Sequence, residues 1–100
     1  MSKCLDNAKT LIDGPRRQAY GPVRESFGRV ALAWSGILNK EITPQQVALM
    51  MIAFKVMRQA NAHKQDNLDD ICGYAALLEQ LYEASPMDSF MDSEAAATLN

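Results

Sequence analysis

The chain has 100 residues, 48% of them apolar and 22% charged, with a formal net charge of −2, which suits one small globular domain. No apolar run approaches the roughly 20 residues that cross a bilayer, two cysteines give no disulfide framework, and the slightly acidic balance argues against general DNA binding. A reduced, cytoplasmic setting is therefore expected.

The periodic segments predict four helices and no strand, because none alternates and helix-forming residues dominate them. The first helix runs from about Ser2 to Asp13, with Ser2 as its N-cap, and Gly14-Pro15 ends it. The second begins with Pro22 in its first position and ends near Asn39. The expected buried residues of these two helices are Leu5, Ala8, Ile12, Val23, Phe27, Val30, Ala31, Trp34, Ile37 and Leu38.

The sharpest local signal is the sequence Thr43-Pro44-Gln45-Gln46. Thr43 is expected to cap a third helix, with Pro44 in its first position and Gln46 completing a capping box. This helix should end near residues 60–62. Its expected buried residues are Val47, Met50, Met51, Phe54 and Met57.

A fourth helix is predicted to start after Asp66 as N-cap, with Asp69 in its third position, and to end at Ser85-Pro86. Its expected buried residues are Leu68, Ile71, Cys72, Ala75, Leu78 and Tyr82. The remainder is short, acidic and weakly periodic. Residues 1–85 are therefore predicted to form one compact all-α domain of four helices, and residues 86–100 a mobile acidic tail.

The charges are divided unevenly between the two parts of the chain. All ten basic residues lie at or before Lys64, together with four acidic residues, whereas residues 65–100 carry eight acidic residues and no base. If the third and fourth helices are antiparallel, Arg58 faces Asp70, and Lys55 faces Gly73 or Asp69. These charges form either an ion pair between helices or a site that keeps one or two of them for a ligand.

Three carboxylates open the predicted fourth helix. Asp66 and Asp70 share one helix face, and Asp69 lies one turn from Asp66. Magnesium takes one or two protein carboxylates and fills its octahedron with water and substrate phosphate. The alternative is that these residues cap the helix and compensate its dipole without a metal.

The predicted loop of residues 14–21 is a second candidate site. Arg16 and Arg17 are suited to bidentate contacts with phosphate or carboxylate, and the ring of Tyr20 can stack on a base. The alternative is a solvated connector that Tyr20 anchors to the helices.

Spaced glycine, aromatic and charged residues form a specific pattern over about residues 5–82. They are Gly14-x-Arg16-x-x-x-Tyr20-Gly21, Phe27, Trp34, Ile42-Thr43-Pro44, Val47-Ala48-Leu49-Met50-Met51, Lys55, Arg58 and Asp66-Asn67-x-x-Asp70-x-x-Gly73-Tyr74. This pattern resembles a family of small phage and prophage proteins whose domain has no assigned function. The resemblance implies a phage origin and a role in the cytoplasm of the infected bacterium.

The pattern is also similar, more weakly, to the all-helical MazG-type nucleoside triphosphate pyrophosphohydrolases. Those enzymes hold magnesium with paired acidic motifs on facing helices. Here the predicted second helix has only Glu25 and the third has no acid. The likeness therefore implies a degenerate or an active member, which if active would release pyrophosphate by magnesium-assisted attack of water.

The first functional hypothesis is a phage accessory protein that binds a nucleotide or another phosphorylated small molecule. The basic residues would contact phosphate, Tyr20 or Tyr74 would stack on a base, and the acids would orient magnesium or a sugar hydroxyl. The candidate ligand-binding residues are Arg16, Arg17, Tyr20, Lys55, Arg58, Asn67 and Tyr74, and the candidate metal ligands are Asp66 and Asp70.

The alternative hypothesis is a non-catalytic inhibitor of a host protein, such as an anti-defence or anti-CRISPR factor. Its acidic C-terminal third would imitate nucleic acid or occupy a basic groove. A third possibility is an oligomeric structural or adaptor role.

Overall fold

The computed structural model describes residues 2–14 and 22–84. Within these ranges the chain forms four helices and no strand, which confirms the predicted all-α fold: α1 Lys3–Asp13, α2 Val23–Leu38, α3 Pro44–Asn61 and α4 Gln65–Ala84. No helix in these ranges is long and apolar enough to cross a membrane. The predicted tail, residues 86–100, lies outside the described residues.

Two of the predicted caps are confirmed. The Ser2 hydroxyl accepts a hydrogen bond from the Leu5 amide at 3.5 Å. The capping box at α3 is complete, since Thr43 Oγ1 accepts from the Gln46 amide at 3.1 Å and the Gln46 side chain accepts from the Thr43 amide at 2.9 Å. Pro22 is the N-cap of α2 rather than its first residue, because its backbone is extended.

The predicted cap of α4 is wrong. The helix begins at Gln65, so Asp66 lies inside its first turn. The turn before it is closed by Gln59, whose side-chain oxygen accepts from the Lys64 amide at 3.1 Å and from Asn67 Nδ2 at 3.4 Å. These two hydrogen bonds tie the end of α3 to the turn before α4 and to Asn67 in its first turn.

Ser35 fixes the connection between α2 and α3. Its hydroxyl donates to the Ala31 carbonyl at 2.7 Å and accepts from the Ile42 amide at 2.8 Å. Asn39, which ends α2 as predicted, adopts a left-handed conformation with φ 53° that asparagine tolerates better than most residues. These contacts set the start of α3 firmly against the end of α2.

Helix α4 is the central element and packs against the other three helices, most extensively against α3 and α1. The core is small. Val23, Ala48, Leu77 and Leu81 are buried at its centre. The partly buried side chains packed around them are Ile12, Phe27, Tyr74 and Leu78.

Several expected core residues are exposed, and those predictions are wrong. Ile37 is 79% exposed and Met57 68% exposed. In α3 the reason is that apolar residues surround almost the whole helix, so their spacing does not select one face. The helix buries the side that carries Ala48 and turns Phe54 outward. The wrongly placed residues are Leu5, Ile37, Leu38, Met50, Phe54, Met57, Ala75 and Tyr82.

The side chain of Gln45 is buried without a hydrogen-bond partner among the described residues. It is 1% exposed, and neither its amide nitrogen nor its amide oxygen has a hydrogen-bond partner in the described part of the chain. Leaving such groups unpaired costs about 1–3 kcal/mol. We expect Gln45→Met, which keeps the shape and removes the polar atoms, to raise the free energy of unfolding by about 1–2 kcal/mol. Urea denaturation followed by circular dichroism measures this, and a loss of stability would contradict the prediction.

Candidate functional site

A cleft of about 770 Å³ opens between α1, α3 and α4, within the size range of small-molecule sites. Asn7 and Thr10 of α1 form one wall of the cleft, and Lys55 of α3 lies on the opposite side. Helix α4 forms the floor of the cleft. The residues of α4 that line it are Asp66, Asp69, Asp70, Gly73, Tyr74 and Leu77. Apolar lining comes from Leu11, Ile12 and Phe27.

Lys55 and Asp70 form an ion pair inside this cleft. The distance from Lys55 Nζ to Asp70 Oδ2 is 2.9 Å, and the side chains are 18% and 30% exposed. The predicted partner of Asp70 was Arg58, so this part of the prediction is wrong. The turn is centred near residues 62–63, because α3 ends at Asn61 and α4 begins at Gln65, which brings Lys55 rather than Arg58 level with Asp70.

Arg58 and Asn67 lie outside the cleft. Both line a smaller pocket of about 270 Å³ near the α3–α4 turn. The guanidinium of Arg58 lies over the ring of Phe54, one helical turn earlier in α3. The distance from its central carbon to the centre of the ring is 5.5 Å. Asn67 is buried and donates to Gln59, which gives it a structural role in the turn.

Asp69 is buried and fully engaged within the protein. One carboxylate oxygen accepts from Asn7 Nδ2 at 3.0 Å and the other from Gln65 Nε2 at 2.9 Å. The bond from Asn7 ties α1 to α4 across the cleft. Sequence reasoning missed Asn7, although its place beside Ala8 and Leu11 on the inner side of α1 was a usable signal.

Asp66 and Asp70 are the two carboxylates left for a ligand. Asp66 is exposed at the edge of the cleft, and Asp70 holds Lys55 with one oxygen. Among the described residues no three acidic, histidine or cysteine side chains group into a metal site. Any cation held here would take most of its ligands from water or from a bound phosphate.

The apolar end of the cleft carries two aromatic rings. The centres of the Phe27 and Tyr74 rings are 6.2 Å apart, with the planes inclined at 52°, a tilted arrangement favourable for aromatic pairs. Tyr74 therefore joins Lys55 in the cleft, as the first hypothesis requires. Arg16, Arg17 and Tyr20, the other candidates of that hypothesis, lie outside the described residues.

Gly73 keeps part of the cleft open. It lies in the middle of α4, and a Cβ atom built there would meet nothing within 4 Å. We expect Gly73→Ala to raise the free energy of unfolding by about 0.5–1 kcal/mol, the usual gain for a helix interior, while its methyl group narrows the cleft. Gly36→Ala, in α2 and equally unobstructed, is the matched control for thermal denaturation. If Gly73→Ala lowered stability, the space beside it would not be open.

The two cysteine thiols meet where α1 crosses α4, one helical turn from the Asn7–Asp69 bond. A hydrogen bond with Ser2, and a second with Cys72, lower the pKa of Cys4. The pKa of Cys72 is raised, mainly by burial of its thiol and to a smaller extent by the hydrogen bond with Cys4 and the charge of Cys4. The thiolate is the nucleophile, so we expect iodoacetamide near neutral pH to modify Cys4 several-fold faster than Cys72. Peptide mass spectrometry over time measures the two rates, and equal rates would contradict the prediction.

The protein is a small all-α domain with a polar cleft between three of its helices. A family model, Domain of unknown function (DUF6378), matches residues 3–82. The chain belongs to this family.

Two relatives come from mycobacteriophages. The chain is 41% identical over 80 residues to the Gene 55 protein of Mycobacterium phage D29, covering 79% of this chain and 53% of that protein. It is 40% identical over 79 residues to the Gene 55 protein of Mycobacterium phage L5, covering 77% and 51%. The chain thus spans about half the length of these relatives.

The comparisons confirm the predicted phage family whose domain has no assigned function. No solved structure matches the chain. The weaker likeness to MazG-type pyrophosphohydrolases gains no support from the family model or the two relatives.

Proposed function

We propose that this phage protein binds a nucleotide or another phosphorylated small molecule in the cleft between α1, α3 and α4. The observation that carries the proposal is the partly buried Lys55–Asp70 pair, which lines the same open cleft as Tyr74. Ligand sites combine apolar and aromatic lining with a few convergent polar groups. The cleft has this composition and a volume that suits a nucleotide.

The charges of the cleft favour a ligand that arrives with a divalent cation. Three carboxylates and one ammonium line it, so a bare phosphate would meet net repulsion. Both carboxylate oxygens of Asp69 already accept hydrogen bonds, one from Asn7 and one from Gln65. Magnesium shared by Asp66, Asp70 and the phosphate would remove the repulsion and release Lys55 to contact a phosphate oxygen.

The aromatic pair supplies the second half of the recognition. A base or sugar would pack against Tyr74 at the end of the cleft where Phe27 and Leu77 lie. Base–aromatic stacking contributes about 1–3 kcal/mol and tolerates different bases. The proposal is binding rather than hydrolysis, because the described residues supply only Asp66 and Asp70 to a cation.

A thermal-shift panel of nucleoside mono-, di- and triphosphates, with and without magnesium, tests the proposal. At a hundredfold excess over Kd a ligand adds about 2.7 kcal/mol, which raises the Tm of a domain of this size by about 10 °C or more. Lys55→Met should reduce the shift to about half of its wild-type size or less at the same ligand concentration. A flat panel for the wild-type chain would contradict the proposal.

The alternative, an inhibitor that binds a host protein, rests on α4. This helix has no basic residue, and it exposes Glu79 and Glu83 one turn apart on one side, an acidic pair that suits a basic groove. Capture of a host protein by the wild-type chain, lost in a Glu79→Lys, Glu83→Lys variant, would support this alternative. Equal capture by both chains would count against it.

A further inference from the structure

The two cysteines of the chain lie on the sides of α1 and α4 that face each other, and both are free thiols. Asn7 lies one turn after Cys4 in α1, and Asp69 lies one turn before Cys72 in α4. The hydrogen bond from Asn7 to Asp69, at 3.0 Å, and the one between the two cysteine side chains therefore define a single antiparallel register of the helices. This packing brings the two sulfur atoms into hydrogen-bonding range.

Cys4 has the surroundings of a reactive thiol. It is the second residue of α1, where the unpaired amides of a helix start favour a negative charge. The Ser2 hydroxyl oxygen lies 3.2 Å from its sulfur, and the hydrogen bonds with Ser2 and Cys72 lower the pKa of Cys4. Both thiols are only half-buried, so a small reagent reaches them from solution. Redox-sensitive cysteines combine these features with a second cysteine close by.

We propose that the two cysteines form an oxidation site, in which hydrogen peroxide oxidises Cys4 and Cys72 then closes a reversible disulfide that holds α1 against α4. The thiolate sulfur of Cys4 attacks one peroxide oxygen, the O–O bond breaks, and the other oxygen leaves as hydroxide. The product is a sulfenic acid on Cys4. The sulfur of Cys72 then attacks the sulfur of Cys4, and the S–O bond breaks to release a second hydroxide.

The atoms and electrons of this sequence balance. The two thiols lose two electrons and two protons, and one hydrogen peroxide becomes two water molecules. An external dithiol reverses the reaction by attacking the disulfide, which returns both cysteines to thiols. No group beyond peroxide and the dithiol is needed.

The disulfide requires only a short movement of α1. A disulfide holds its sulfur atoms about 2.0 Å apart, closer than two hydrogen-bonded thiols. Cys4 lies in the first turn of α1, where helices open most easily. This turn can therefore approach α4 without disturbing the core around Leu77 and Leu81.

The disulfide joins one wall of the cleft to its floor. Asn7 and Thr10 of the wall belong to α1, and the floor belongs to α4. The two cysteines are far apart in the chain, so the bond closes a long loop and restricts the unfolded chain strongly. Oxidation thus stabilises the fold and limits the opening of the cleft, and this proposal does not rest on the proposed ligand.

Peroxide treatment of the reduced full chain, followed by peptide mass spectrometry without a reductant, tests the site. We expect one linked pair of peptides that contains Cys4 and Cys72, in a product with the mass of a single chain of 11.1 kDa. Dithiothreitol should separate the pair. A disulfide between two chains, or a sulfinic acid on Cys4 with no linked pair, would overturn the proposal.

Single-cysteine variants test the order of the two steps. Cys72→Ser has no second thiol, so peroxide should leave a sulfenic acid on Cys4, which dimedone traps. In Cys4→Ser, dimedone should label Cys72 several-fold more slowly. Equal rates, or faster labelling of Cys72, would overturn the assignment of Cys4 as the thiol that peroxide attacks.

Thermal denaturation tests the effect of the bond on the fold. The isolated disulfide form should have a Tm about 10 °C or more above that of the reduced chain, and dithiothreitol should remove the gain. The double variant Cys4→Ser, Cys72→Ser is the matched control, because peroxide can oxidise its methionines but cannot link its helices. Peroxide should not raise its Tm. An unchanged or lower Tm of the disulfide form would overturn the proposal that the bond holds α1 against α4.

Discussion

Replacing Asp69 with alanine is expected to lower the free energy of unfolding by about 2–4 kcal/mol. The carboxylate is buried, and its two oxygens accept charge-assisted hydrogen bonds from Asn7 and Gln65. Each such bond contributes about 1.5–3 kcal/mol, and water can replace part of it because Asn7 is exposed and Gln65 half-buried. For a small domain this is a large fraction of the total stability. Guanidinium denaturation followed by circular dichroism gives the value.

Glu79→Ala is the control for this change, because Glu79 is an exposed acid on the same helix and should alter stability by no more than about 0.5 kcal/mol. Asp69→Asn retains the shape and one acceptor oxygen, so its loss should be intermediate. A double-mutant cycle with Asn7→Ala isolates the bond between α1 and α4. A loss for Asp69→Ala as small as that for Glu79→Ala would show that this carboxylate does not hold the helices together.

The fold was largely predictable because its local signals are strong and agree with one another. The capping box at Thr43 and the N-cap at Ser2 fix two helix starts by hydrogen bonds within three residues. Such contacts depend on nearby residues alone. The start of α4 was not predictable in the same way, because Gln59, from the preceding helix, closes that turn.

The candidate site was predictable in part. The sequence identified Lys55, Asp70 and Tyr74, which the structure brings to one cleft, and it identified Arg58, which the structure places elsewhere. The difference is a shift of three residues in helix register, which depends on the length of a turn that sequence reasoning places only approximately. The contribution of Asn7 depends on where α1 packs, and helix periodicity does not determine this.

The burial pattern of α3 has a related cause. Apolar residues lie on both faces of this helix, so their spacing alone does not tell which face is buried. The chain's own helices cover the face with Ala48.

Asp70→Asn is expected to change ligand affinity in opposite directions with and without magnesium. Without the cation, Asp70 competes with phosphate for Lys55, to which it is bound at 2.9 Å. Its neutralisation should then tighten binding about 10-fold, since 1.4 kcal/mol corresponds to a factor of ten. With magnesium the carboxylate is a ligand of the cation, and its loss should weaken binding by a similar factor.

Isothermal titration of the wild-type and variant chains with the best nucleotide of the panel measures these changes. Lys55→Met should weaken binding under both conditions, by about 10- to 100-fold for a lost charge-assisted hydrogen bond. Arg58→Met is the matched control, because it removes a cation of the same helix that lies outside the cleft, and it should leave affinity unchanged. If Arg58→Met abolished binding while Lys55→Met did not, the ligand would occupy the pocket near the α3–α4 turn. If Asp70→Asn weakened binding equally with and without magnesium, its carboxylate would contact the ligand directly rather than through the cation.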